Sequence, residues 1–220
     1  VLLSLALADR INYLTQEKET VELQHILHLQ QEQMMLERQV SERTVELEKA
    51  MKQAELLAQT DSLTGVLNRR AFYDFSEREV NRARRFETPL AVVMIDLDMF
   101  KRINDSYGHA TGDRVLIAAI NTLQTIIRHV DLFGRIGGEE FAVLLPQAHL
   151  HEATELAERL RVALAEMEVK VDELTIKVTA SFGVAAVDVE NESVADAMQR
   201  ADTALYQAKS SGRNCVEQAG

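Results

Sequence analysis

The chain has 220 residues, with 24 basic against 35 acidic side chains and a formal net charge of −11. That balance excludes a nucleic-acid binder working through a basic surface, because phosphate backbones are held by clustered Lys and Arg. The single cysteine, Cys215, excludes an internal disulfide and a cysteine-built metal site, and it fits a reducing, cytoplasmic compartment.

All nine glycines and both prolines follow Thr64, so the first sixty residues hold no helix breaker. Val1–Ala8 is apolar but far shorter than the roughly 20 residues that span a bilayer, and it has no signal-peptide pattern. Two readings stay open for it: the stub of a transmembrane helix in a longer, membrane-linked parent, or a plain helix start. From Ile26 a heptad emerges, with Ile26, Gln33, Val40, Leu47 and Ala54 at a and Leu29, Leu36, Arg43, Ala50 and Leu57 at d; eight of the ten are apolar. This predicts a parallel coiled coil and a homodimer, with Gln33 and Arg43 weakening the seam or setting its register. Leu14 and Val21 share a seven-residue spacing out of phase with Ile26, which places a discontinuity near residues 21–26. His25 and His28 read as solvated helix residues.

Beyond residue 60 the elements alternate. Arg70–Phe86 reads as helix, and Leu90–Asp96 as a buried, β-branched strand. Another helix starts near Met99, and Gly112–Val130 is expected to be helical with Leu116, Ala119, Ile120, Leu123, Ile126 and Ile127 on one face. Two apolar runs, Asp131–Ile136 and Phe141–Leu145, flank Gly137-Gly138 and predict a hairpin whose tight turn uses positive φ at glycine. Leu150–Met167 reads as helix, Leu174–Val187 as a strand interrupted at Gly183, Ser193–Ser210 as helix and Asn214–Gln218 as a last strand. A hairpin inside alternating order gives an α/β (α+β) fold with a mixed sheet. The domains expected are a helical segment, 1–59, and a globular domain, 60–220.

Two acidic clusters carry chemistry. Asp96-Leu-Asp98 ends the buried strand just before a helix, a place that gathers metal and phosphates. Glu139 and Glu140 follow Gly137-Gly138, where a ligand can approach the backbone. Solvated strand ends and an acidic hairpin tip would explain either cluster alone. If strand and hairpin are neighbours, Asp96 and the tip acids share one site, and Mg²⁺ typically takes one or two carboxylates with substrate phosphates.

These residues resemble the GGDEF family of diguanylate cyclases. The likeness rests on Gly137-Gly-Glu-Glu-Phe141, Asp96-Leu-Asp-Met-Phe-Lys101, Asn104-Asp105 and Gly108-His-Ala-Thr-Gly-Asp113. Asp61-Ser-Leu-Thr-Gly-Val-Leu-Asn-Arg-Arg70 and Ala208-Lys-Ser-Ser-Gly-Arg-Asn214 extend it over about residues 60–216. Glu139 stands where the family name has aspartate, a common variant. The resemblance implies a palm-like sheet of the nucleotide-cyclase kind and the condensation of two GTP into cyclic di-GMP and two pyrophosphates. It implies Mg²⁺, with Mn²⁺ as a substitute, on Asp96, Glu139 and the Leu97 carbonyl. Glu140 is the next candidate ligand, and Glu139 could also help deprotonate the ribose hydroxyl. Phosphates would meet the backbone of Met99, Phe100 and Lys101, the open Gly137-Gly138 backbone, and the cations Lys209 and Arg213. Asn104 and Asp113 would read guanine. Arg128-His-Val-Asp131 matches the family's product-binding inhibitory site, five residues before Gly137, with Arg159 as a second contact from the following helix. A catalytically silent relative that binds GTP or cyclic di-GMP as a sensor is the competing reading.

Overall fold

The computed structural model describes residues 2–171 and 174–219, and of these the side chains at 2–9, 26, 52–54 and 56 fall outside the description. Val1, the side chains of the apolar stretch that follows it, and those of Ile26 and Ala54 therefore lie outside the described residues. Helix α1 (Leu2–Gln59) runs unbroken through residues 21–26, so a discontinuity there is one of seam phase and not of backbone. Leu29, Leu36, Val40 and Leu47 of the seam are all exposed, as a seam without a partner must be. The two polar seam residues are engaged within the helix: Gln33 donates to Glu37 at 2.9 Å and Arg43 pairs with Glu46 at 2.9 Å. A long helix with this apolar stripe fits a coiled coil. Among the described residues no helix is long and apolar enough to cross a membrane.

Val1–Glu55 and Leu56–Gly220 form separate compact units. In the second, α2 (Arg69–Phe86) leads to β1 (Leu90–Leu97), then α3 (Phe100–Tyr107) and α4 (His109–Gln124). The hairpin β2 (Leu132–Arg135) and β3 (Glu140–Pro146) precedes α5 (Leu150–Glu166), and β4 (Val169–Val171) pairs with β5 (Leu174–Ile176) as a small separate ribbon. β6 (Ala180–Ala186), α6 (Val194–Ser210) and β7 (Val216–Gln218) complete the chain. The main sheet has the order β2-β3-β1-β6-β7; all its pairings are antiparallel except β6–β7. The mixed sheet flanked by helices is the one expected.

All eight residues of β1 are buried because helices cover both faces of the sheet. Val93, Ile95 and Leu97 pack with α4 and α5 through Leu116, Ile120, Leu160 and Leu164. Val92 and Met94 pack on the opposite face with Phe72, Val80, Ala201 and Leu205 of α2 and α6. Strand alternation then assigns Asp96 to the α6 face.

Three expectations are corrected. The helix expected over Gly112–Val130 begins at His109 and ends at Gln124. Past that point Thr125 and Ile126 bond to carbonyls three residues back, and the Thr125 hydroxyl donates to Thr122 O at 2.7 Å, closing the helix. Ile126 and Ile127 still pack on the core from the following turn, so apolar periodicity outlasts the helix. The strand expected over Leu174–Val187 is two strands, and its break falls before Ala180; Gly183 lies inside β6. Glycine is needed there because a Cβ would collide with Ala201 O and Leu205 N of α6. Neither Gly137 nor Gly138 has positive φ, and four residues separate β2 from β3, so the hairpin is not a tight glycine turn. Instead, a Cβ on Gly137 would strike the Glu140 carboxylate, while Gly138 borders open space.

Candidate active site

β1 and β3 pair with Asp96 opposite Glu140, and the Leu97 amide donates to the Glu139 carbonyl at 3.3 Å. The strand-end acid and the hairpin acids therefore meet at one end of the central strands. Asp96 is buried, and its pKa is raised, first by desolvation and then by the charges of Glu140 and Asp98, against the pull of Lys209. Glu139 is raised likewise, by burial and by Asp96 and Glu140. Lys209, in the last turn of α6, places Nζ 2.8 Å from Asp96 Oδ2.

Among the described residues no group of three or more His, Cys, Asp or Glu side chains is arranged to hold a metal by itself. The donor set still fits Mg²⁺, which takes few carboxylates when substrate phosphates supply the rest. Two mutually repelling acids beside a backbone carbonyl, with an ammonium already drawn in, form a site short of positive charge.

Asp98 has a different task. Its carboxylate accepts from Thr179 Oγ1 at 2.7 Å, Ser181 Oγ at 2.7 Å and the Asn214 amide at 3.0 Å. It thereby ties the end of β1 to the approach of β6 and to the turn after α6 that carries Arg213. Arg161 of α5 holds the same turn by donating to Asn214 Oδ1 at 3.0 Å. Arg213 and Asn214 both take left-handed backbone conformations, at φ 67° and 47°. This bracket fixes where Lys209 and Arg213 stand, although Arg213 itself is exposed.

Directly after β1, Met99 turns left-handed at φ 56° and α3 starts without a side-chain cap. Its first amides are free of that competitor, as an anion site requires. Phe100 is 6% exposed, so it can serve a ligand only through its backbone; Lys101 is exposed. α3 and α4 turn back on each other at Gly108, φ 82°. Asn104 lies against Gly112, where a Cβ would collide with its amide oxygen, and Asp113 is exposed beside it.

Sequence reasoning missed Arg135. Its guanidinium donates to Gly137 O at 3.2 Å and Gly138 O at 2.7 Å, and to Asp61 Oδ1 at 2.9 Å. Asp61 also accepts from the Thr64 amide and hydroxyl at 2.9 and 2.6 Å. Burial alone would raise the Asp61 pKa, but these hydrogen bonds from Thr64 and Arg135 hold it below the ordinary value. The acidic loop is thus propped by a strut from the segment that follows α1. An arginine two residues before Gly137, with Asp61-Ser-Leu-Thr64 upstream, was the available signal.

Arg128 and Asp131 close a turn away from these acids: the Arg128 amide donates to Asp131 Oδ2 at 2.9 Å. Burial raises the Asp131 pKa. Glu152 lies in the first turn of α5, and Arg159 is exposed about two turns further along. A cleft of about 400 Å³ lies against Arg128, Asp131, Gln124 and Val66.

Residues 58–215 match the family described as the diguanylate cyclase, GGDEF domain. The chain belongs to the GGDEF family. It is 43% identical over 164 residues to the diguanylate cyclase DgcM of Escherichia coli, covering 74% of this chain but 39% of DgcM. Among solved structures, the coiled coil and GGDEF domain of DgcB from Caulobacter crescentus, in complex with c-di-GMP, is 32% identical with a TM-score of 0.77, covering 84% of this chain and 99% of that one. The diguanylate cyclase SiaD of Pseudomonas aeruginosa, in complex with its activator SiaC, is 33% identical with a TM-score of 0.73, covering 99% of this chain and 85% of SiaD. The chain thus shares its fold with a solved GGDEF domain and with a solved diguanylate cyclase.

Proposed function

We propose that the chain is a diguanylate cyclase condensing two GTP into cyclic di-GMP with release of two pyrophosphates. The observation that carries this reading is the meeting of Asp96, Glu139 and Glu140 at one end of the central strands, with Lys209 on Asp96. Mg²⁺, or Mn²⁺ in its place, held by Asp96, Glu139 and the Leu97 carbonyl, would neutralise phosphate charge and ease loss of the ribose 3′-hydroxyl proton. Glu139 and Glu140 are the candidates to take that proton, and burial strengthens the hold of Glu139 on one. The uncapped start of α3 binds the β- and γ-phosphates, while Lys209 and Arg213 neutralise the terminal one. Asp113 accepts from guanine N1–H and the 2-amino group, and Asn104 both donates and accepts, a pattern adenine does not offer.

Each domain holds one GTP, so bond formation needs two domains facing each other. The exposed seam of α1 supports parallel pairing of two chains, which raises the effective concentration of one domain for the other. Residues 1–59 then act as a signalling coiled coil and 60–220 as the catalytic domain, in the cytoplasm. The cleft at Arg128 and Asp131, with Arg159, is the site where product returns to inhibit: a guanidinium can fork onto phosphate and stack on guanine.

Incubating the full chain with Mg²⁺ and either GTP or ATP tests the reading, with products resolved by mass spectrometry. Cyclic di-GMP from GTP alone is expected, accumulating further in Arg128→Ala before the rate falls. Intact GTP after prolonged incubation would contradict cyclase activity.

A further inference from the structure

Lys209 has two claims on it. The structure spends its ammonium on Asp96 Oδ2 at 2.8 Å, while the proposed reaction asks for it at a terminal phosphate. The same carboxylate oxygen is one that a divalent cation would need. An ammonium and a divalent ion cannot both hold it closely, since they repel across a buried, poorly screened site. Asp96 is 7% exposed, whereas the Lys209 side chain is 32% exposed on a flexible stem, so the lysine is the partner free to leave.

We infer that the Lys209–Asp96 ion pair is an exchangeable latch that makes metal binding and triphosphate binding depend on each other. In the nucleotide-free domain, Lys209 offsets the crowding of Asp96, Glu139 and Glu140 and competes with the metal. A metal alone must displace it and leave a free ammonium beside a divalent charge. A triphosphate alone meets acids that one lysine only partly neutralises, and that lysine is already engaged. Together, the metal takes Asp96 and the released ammonium takes the phosphate. Linkage then requires each ligand to strengthen the other by the same factor. This rests on the proposed metal site and adds an opposite sign to it: removing a positive phosphate contact tightens metal binding when no nucleotide is present.

The test measures Mn²⁺ affinity of the full nucleotide-free chain by electron paramagnetic resonance of free Mn²⁺. Lys209→Met keeps the aliphatic stem and is expected to bind Mn²⁺ about tenfold more tightly, within the usual range of such couplings. Lys209→Arg, which retains a cation, should stay near wild type. Arg213→Met removes the same charge from the neighbouring turn without touching Asp96, and should change Mn²⁺ affinity little. With a non-hydrolysable GTP analogue, the factor by which nucleotide tightens Mn²⁺ should shrink in Lys209→Met. Unchanged or weaker nucleotide-free Mn²⁺ binding in Lys209→Met would overturn the latch, as would an equal gain in Arg213→Met. Wild-type Mn²⁺ affinity in Asp96→Asn would instead remove the metal assignment itself, and the latch with it.

Discussion

Arg135→Ala removes the strut between Asp61 and the acidic loop. The guanidinium makes three contacts to the Gly137 and Gly138 carbonyls and one to Asp61, with Arg135 and Asp61 side chains only 18% and 21% exposed. Its loss leaves both carbonyls without that donor and Asp61 with Thr64 alone. Hydrogen bonds to charged groups contribute about 1.5–3 kcal/mol, and partial exposure places the whole cluster near ~2 kcal/mol rather than the sum of its parts. For a unit of this size about 1 kcal/mol shifts the melting temperature by roughly 2–4 °C, so a fall of about 4–8 °C is expected. Because the strut positions Glu139 without touching substrate, turnover should fall more than affinity for GTP. Asp61→Asn keeps acceptors for Thr64 and should cost less, and the double variant should be no worse than Arg135→Ala, because both changes break one interaction. Thermal melts by circular dichroism and steady-state kinetics read these outcomes. An Arg135→Ala protein melting within about 1 °C of wild type, or strict additivity of the two substitutions, would refute the strut.

Gly112→Ala should favour the helix by about 1 kcal/mol on intrinsic propensity yet displace Asn104, raising the KM for GTP about tenfold as guanine contacts are lost; an unchanged KM would show that Asn104 does not hold the base. Asp131 tests burial through pH. Its raised pKa means that the folded state holds a proton which the unfolded chain has released, so the charge costs stability. That cost is absent below the ordinary value of 3.8 and complete above the raised one. Asp131→Asn, which still accepts from the Arg128 amide, should therefore gain melting temperature over wild type at about pH 7 and not at about pH 3; equal differences at both would refute it. In α1, deleting seven residues within 33–54 should preserve cyclase activity, whereas deleting four should change it sharply by rotating the domains against the seam. Equal activity of both deletions, or a monomer by light scattering, would refute the signalling-helix reading.

What the residues disclosed and what they withheld divide along physical lines. β1 was legible because residues 90–95, buried between helical layers, are all apolar, and its carboxyl end was legible because Asp96 breaks that run. Whether Asp96 meets the hairpin acids depends on which strands are neighbours, which a sequence leaves open, and the register of β1 on β3 brings them together. Glycine misled twice, since its freedom of φ and its lack of a side chain look alike in a sequence. At Gly137 and Gly183 it is the missing Cβ that matters, against Glu140 and α6 respectively. The end of α4 was hidden because Ile126 and Ile127 keep the apolar period while their backbone leaves the helix. Arg135 and Asp98 were invisible as positioning residues because their partners stand far away in sequence: Asp61 for one, Thr179, Ser181 and Asn214 for the other.

The decisive measurement is cyclic di-GMP formation from GTP and Mg²⁺ by the full chain and by its Asp96→Asn and Glu139→Gln variants. Wild type should accumulate product, and each variant should lose roughly 100-fold or more in rate, as removal of one preorganised charge-stabilising group does elsewhere. Both should keep the wild-type circular dichroism spectrum and melt no lower, because each relieves repulsion between crowded acids. Product formation within a few-fold of wild type in either variant would contradict the assignment of the reaction to this end of the central strands.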